Sequence, residues 1–201
     1  MIRPKDEGRG GETLTRELAP GAAASVVCGS AEWFSDLVHQ HLRRVFGVLY
    51  RMVGNRADAQ DLAQEVFLKA FQRRHQLRDP DRALAWLLRI ASNAAIDFQR
   101  ARAGERSAGP ALEDLELWEP EATPEQLLVR KERERRLHDA LRQLSPKERA
   151  AIVLRDLEGW SGREVARALD CSQITVRTHI ASARIKLRRF LARSRARGAP
   201  Q

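Results

Sequence analysis

The sequence predicts an all-α protein: two small helical domains joined by a flexible acidic linker, the C-terminal one containing a helix-turn-helix. Three observations lead there. Apolar residues recur at three- and four-residue steps in every long segment, and no stretch alternates as a half-buried strand would. Helix-starting signals recur along the chain, with a Ser, Thr or Asn followed by an acid or amide in the first turn. Between the two helical blocks lies a stretch with Gly104, Gly109, Pro110, Pro120 and Pro124 that carries only acids in its central part.

Taken in order, residues 1–30 are rich in Gly, Ala and charge with no sustained period, and are expected to form a disordered arm. From Trp33 the residues Phe34, Leu37, Val38, Leu42, Val45, Phe46, Leu49 and Met52 fall at helical spacing, ending near Gly54. Asn55 caps a second helix whose buried face is Ala59, Leu62, Ala63, Val66, Phe67 and Ala70. Its other face carries Asp58, Asp61, Gln64 and Glu65. Asp79-Pro80 then opens a helix over about 81–103, with a core stripe of Leu84, Leu87, Leu88, Ala91, Ala95 and Phe98. A second stripe on it, Trp86, Ile90, Asn93, Asp97 and Arg100, turns from apolar to polar, and Asp97 is expected to orient Arg100 at i,i+3.

Capping boxes at Thr123–Gln126 and Ser145–Glu148, each with Pro at the first helical position, start the two helices after the linker. Ser161 and Glu164 repeat the device, and Ser172 caps the helix beyond a turn at Asp170, where a left-handed residue is expected. Val176, Ile180, Ala183, Leu187 and Phe190 line the buried side of that last helix, and Trp160 is expected in the small core. The resulting division is an arm over 1–30, a first domain over 31–103, a linker over 104–124, a second domain over 125–192 and a basic tail over 193–201.

Composition narrows the function. The formal charge of +9 and a pI near 10.6 favour a polyanionic partner. The charge is segregated. From Gln173 to the end there are only cations, whereas Glu113, Asp114, Glu116, Glu119, Glu121 and Glu125 stand in a block without Lys or Arg. An acidic patch at Asp61, Gln64 and Glu65 on so basic a chain suits contact with protein, since DNA would be repelled there. No stretch is long and apolar enough to cross a membrane, and a cytoplasmic location without membrane insertion is expected. Cys28 and Cys171 alone form neither a zinc site nor a disulfide framework; Cys171 reads as a small filler in the turn. Five scattered His residues and no Gly-rich phosphate loop leave no catalytic residue, no metal and no cofactor to assign, so no enzymatic activity is expected.

Three blocks carry a resemblance: Gly54-Asn-Arg-Ala-Asp-Ala-Gln-Asp-Leu-Ala-Gln-Glu-Val-Phe, Trp86-Leu-Leu-Arg-Ile-Ala-Ser-Asn-Ala-Ala-Ile-Asp, and Leu144-Ser-Pro-Lys-Glu-Arg with the helix-turn-helix behind it. In this order, over about Trp33 to Leu191, the chain resembles the extracytoplasmic-function sigma factors of bacterial RNA polymerase, in the sigma-70 family. The resemblance implies a transcription initiation factor that binds core RNA polymerase at the clamp helices of the largest subunit and the flap of the second-largest. Asp58, Asp61, Gln64 and Glu65 would meet the polymerase. Gln76, Arg78, Asp79, Arg82, Asn93 and Arg100 would read and melt the −10 element, holding a flipped base. Arg177, Thr178, Ala181, Ser182, Arg184, Lys186 and Arg188 would face the −35 element, the first four toward bases and the cations mostly toward phosphate. Promoter DNA and an anti-sigma factor are the other partners it implies. The alternative is a helix-turn-helix regulator of the response-regulator type. It shares the Leu-Ser-Pro-x-Glu-Arg form but would need neither of the first two blocks.

Overall fold

A computed structural model describes residues 30–102 and 123–197. The expected arm with Cys28, nearly all of the acidic linker and the last four residues lie outside these described residues. Every regular element among them is helical.

Helix α1 (Ala31–Val53) starts where Ser30 accepts a hydrogen bond from the Trp33 N–H and stops at Gly54, whose φ of 86° only glycine adopts without strain. Asn55 takes the Ala57 and Asp58 N–H groups and opens α2 (Arg56–Gln72). A short loop with two 3₁₀ turns, Arg74–Gln76 and Pro80–Arg82, leads into α3 (Ala83–Arg102). The sequence places this helix start two residues earlier; Asp79 instead caps the second 3₁₀ turn by accepting from the Asp81 N–H. These three helices pack on Val45, Val48, Leu49, Met52, Leu62, Val66, Leu87, Leu88 and Ala91, all buried.

The second domain runs α4 (Pro124–Leu141), α5 (Pro146–Ile152) with a π-type turn over Val153–Leu157, α6 (Gly162–Ala168) and α7 (Gln173–Arg197). All three expected capping boxes form with both reciprocal hydrogen bonds, at Thr123, Ser145 and Ser161. Asp170 takes a φ of 48°, the left-handed turn between α6 and α7, and Ser172 accepts from the Thr175 N–H at 3.0 Å. Trp160 and Cys171 are half-buried against the core. Helix α7 continues to Arg197, so the last turns of a helix occupy much of the stretch expected as a tail.

The sequence gives no sign that the two domains touch, yet their buried residues form one continuous cluster. Helix α3 lies against α5 and α6 as well as against α1 and α2. Ala94 and Ile96, off the expected core stripe, are buried too. The carbonyl of Met52 accepts from Gln99 of the first domain and from Arg149 of the second. The His138 ring of α4 stacks on Tyr50 of α1 with centroids 5.7 Å apart. A Cβ on Gly54 would lie 2.3 Å from that imidazole, so the glycine is needed for its conformation and for closeness at once. Gly54→Ala should therefore lower the unfolding free energy by about 1–3 kcal/mol in a urea titration. A change below about 0.5 kcal/mol would mean that neither constraint operates.

Candidate nucleic-acid interface

Helical spacing brings Asp61, Gln64, Glu65 and Leu68 to one exposed side of α2. Glu65 also pairs with Lys69 one turn on, at 2.5 Å. Asp58 differs from its neighbours. Its side chain is 15% exposed and accepts a hydrogen bond from Arg102, tying the start of α2 to the end of α3. Leu68, 58% exposed, is an apolar member of this face that the sequence reading left out. The signal was available, since Leu68 falls between Phe67 and Ala70 but off the stripe they define.

Beside this face opens a cleft of about 350 Å³ between the end of α2, the loop and the outer stripe of α3. Gln76 and Asn93 line it, together with Trp86, Lys69, Arg73, Arg89 and the carboxylate-bearing Asp97. The three cations were missed because they come from two helices and converge only in the fold. Trp86 packs one side on the core and turns the rest to the cleft. Arg78 is exposed on the loop outside the cleft lining. Arg82 pairs with Asp79 at 3.2 Å, and Arg100 with Asp97 at 3.8 Å; all four lie at the surface or close to it. The chemistry on offer is a flat aromatic, amide groups and several cations around a hollow, which suits an unstacked base and its phosphates.

On α7, Arg177, Thr178, Ala181 and Arg188 form one exposed face. Ile174 and Ile185, 74% and 50% exposed, extend it at i−3 and i+8 from Arg177. Neither belongs to the core stripe or to the contact face that the spacing predicts. The other three expected contact residues are engaged elsewhere. Ser182 donates to Glu148 Oε1 at 2.5 Å, and Lys186 Nζ donates to both Glu148 oxygens at 2.9 and 2.7 Å. Arg184 holds Asp156 with its Nη2 at 3.0 and 3.2 Å from the two carboxylate oxygens.

Glu148, only 6% exposed, is thus the hub that orients α7 on α5. Burial alone would raise its pKa. The hydrogen bonds from Lys186, Ser182 and the Ser145 backbone and hydroxyl outweigh that and hold the carboxyl at about 2. The exposed face of α7 is consequently narrower than spacing suggests, because one side of the helix is committed to its own scaffold. Among the described residues no group of His, Cys, Asp and Glu could hold a metal ion, and no helix is long and apolar enough to cross a membrane.

Comparison with known proteins accounts for both domains. Residues 37–105 match the Sigma-70 region 2 family and residues 134–187 match Sigma-70, region 4. The chain is 33% identical over 179 residues to the RNA polymerase sigma-H factor of Pseudomonas aeruginosa, covering 85% of this chain and 92% of that protein. The chain belongs to the sigma-70 family.

Within that family it falls among the extracytoplasmic-function sigma factors. It is 34% identical over 192 residues to the ECF sigma factor SigE of Mycolicibacterium smegmatis, with 96% of this chain and 71% of that one aligned. Among solved structures, CnrH in complex with the cytosolic domain of CnrY matches with a TM-score of 0.58 at 27% identity, covering 86% of this chain and 94% of that one. The fold is shared also with the sigma factor RpoE of Bartonella quintana, solved with the anti-sigma factor NepR, at a TM-score of 0.58 and 23% identity, covering 79% of this chain and 96% of that one. This sigma factor is therefore a transcription initiation factor, with α1–α3 as its region 2 and α4–α7 as its region 4. The response-regulator alternative is not favoured, because it has no use for a region 2.

Proposed function

We propose that this sigma factor binds core RNA polymerase through the Asp61, Gln64, Glu65 and Leu68 face and reads a two-part promoter with the other two surfaces. The observation that carries the reading is the separation of the faces by chemistry. One is acidic with a bare leucine, one is a cationic cleft with an aromatic wall, and one is a helix-turn-helix face with Arg177 at its centre. The acidic face repels DNA and suits a basic protein surface. The cleft would hold a −10 base taken out of the stack, with Asn93, Gln76 and Trp86 around it and Lys69, Arg73 and Arg89 for phosphate. Extracting a base costs a few kcal/mol, which such a fitted pocket must offset. Arg78, Arg82 and Arg100 would support the strand from the rim.

Helix α7 would lie in the major groove of the −35 element, with Ile174, Arg177, Thr178 and Ala181 toward bases and Arg188 toward phosphate. Isoleucine at the leading turn suits a thymine methyl. Asp58, Ser182 and Lys186 then serve mainly as framework, and Arg184 would leave Asp156 for phosphate only on docking. The protein would work in the cytoplasm and catalyse nothing itself. An anti-sigma factor is a fitting partner, since two structural neighbours were solved with protein partners, one of them an anti-sigma factor.

Reconstitution with core polymerase and mapping of transcript starts tests the whole reading; no promoter-specific start over core alone would overturn it. Within it, Arg177→Ala should cost about 1–3 kcal/mol of promoter affinity and relax preference at one −35 base pair. A base-substitution series that shows no position with relaxed preference would remove Arg177 from the reading set.

A further inference from the structure

Helix α7 sorts its cations by their place along its length. Arg184 and Lys186 are spent on Asp156 and Glu148 of the same domain. Arg188, Arg189 and Arg193 are exposed and have no carboxylate partner among the described residues. Leu187 is the last residue of α7 packed on the core, and the family match ends at that same position. The helix nevertheless runs on to Arg197. At about 1.5 Å per residue, ~15 Å of helix stands beyond the core of its domain.

This overhang works against itself. Arg189, Arg193 and Arg197 succeed one another at i,i+4 spacing, where like charges destabilise a helix. The Arg193 Nε donates to the Arg189 carbonyl at 3.2 Å, for want of an acid. No Asp or Glu follows Gln173 to relieve the repulsion. An anion laid along the helix would relieve it. Phe190 and Leu191 are the only large apolar residues of the stretch, too narrow a face for a lipid surface.

We infer that the overhang is a second, sequence-independent DNA grip, which closes on phosphates of the duplex flanking the −35 element. The inference rests on the reading of α7 as the −35 helix. Positions 188 and 195 follow Arg177 after about three and five whole turns, so all three stand on one line along the helix. With Arg177 over bases, position 188 lies ~16 Å further along and position 195 ~27 Å, past the ~12 Å width of the major groove. A helix leaving the groove there meets the sugar–phosphate backbone. Arginines at 189, 193 and 195 add affinity at that place and carry no sequence information. Region 4 thus separates reading, by the leading turns of α7, from holding, by its trailing ones.

The test uses holoenzyme reconstituted from core polymerase and the full chain. One variant is the triple Arg189→Ala/Arg193→Ala/Arg195→Ala, and its control carries Lys at the same three positions. Alanine favours helix and position 187 ends the core contact, so both variants should fold. Promoter affinity of the alanine triple should fall ~10–100-fold near 0.1 M salt, by the same factor on every −35 base substitution. Its plot of log affinity against log salt should be shallower by ~2–3, while the lysine triple keeps the wild-type slope. An unchanged slope in the alanine triple would overturn the grip; loss of core-polymerase binding instead would assign the overhang to an acidic protein surface. A loss confined to particular −35 base pairs would overturn it as well, by making these residues base readers. Wild-type holoenzyme indifferent to every −35 substitution would sink the −35 reading, while the salt slopes still judge the grip.

Discussion

Asp61→Arg should weaken binding to core RNA polymerase at least ~10-fold, about 1.4 kcal/mol or more. Asp61 is exposed on α2 with no partner among the described residues, so the change should leave the melting temperature of the protein nearly unmoved. Leu68→Asp should weaken binding as much by removing the apolar centre of the same face. Asp58→Ala supplies the contrast. Its carboxylate is spent on Arg102, so it should cost stability and change polymerase binding little. Equal effects of Asp58 and Asp61 substitutions on binding, read by gel filtration and anisotropy, would refute this division of the acidic residues.

Glu148→Ala should destabilise region 4 by about 2–4 kcal/mol, the largest stability loss expected from any single polar change here. It strands the Lys186 ammonium, the Ser182 hydroxyl and the Ser145 N–H together. The pH dependence has a definite sign. The Glu148 pKa is depressed from 4.5 to about 2, so its stabilisation is complete above pH 4.5 and is lost as pH falls from 4.5 toward 2. Calorimetry should show the wild type losing stability through that window and the alanine variant losing less. Parallel pH curves for the two proteins would show that Glu148 does not carry the effect.

What could be read from the sequence was whatever is decided within about four residues. Ser30 escaped notice, but Asn55, Thr123, Ser145, Ser161 and Ser172 all cap as their spacing indicates, because a cap and its N–H are neighbours in the chain. The left-handed Asp170 and the Asp97–Arg100 pair are local in the same sense. Glu148 defeats this kind of reading. Its capping role is local and visible, while its grip on Ser182 and Lys186 spans 34 and 38 residues. A basic amphipathic helix looks the same from sequence whether a given cation faces solvent or a buried acid. Docking of region 4 on region 2 is less legible still. It depends on a bare glycine meeting a histidine 84 positions later, and neither residue type announces a partner.

The Glu148 hub divides α7 into two sides with different freedom to change. Positions 182 and 186 are mortgaged to the scaffold, whereas 174, 177, 178, 181 and 185 point outward. If α7 reads the −35 element as proposed, drift at the outward five alters promoter preference with little effect on folding. Paralogues could therefore diverge in their target genes at few positions and without passing through unstable ancestors. The same partition tells a designer which handful of codons to randomise when a sigma factor orthogonal to its host is wanted.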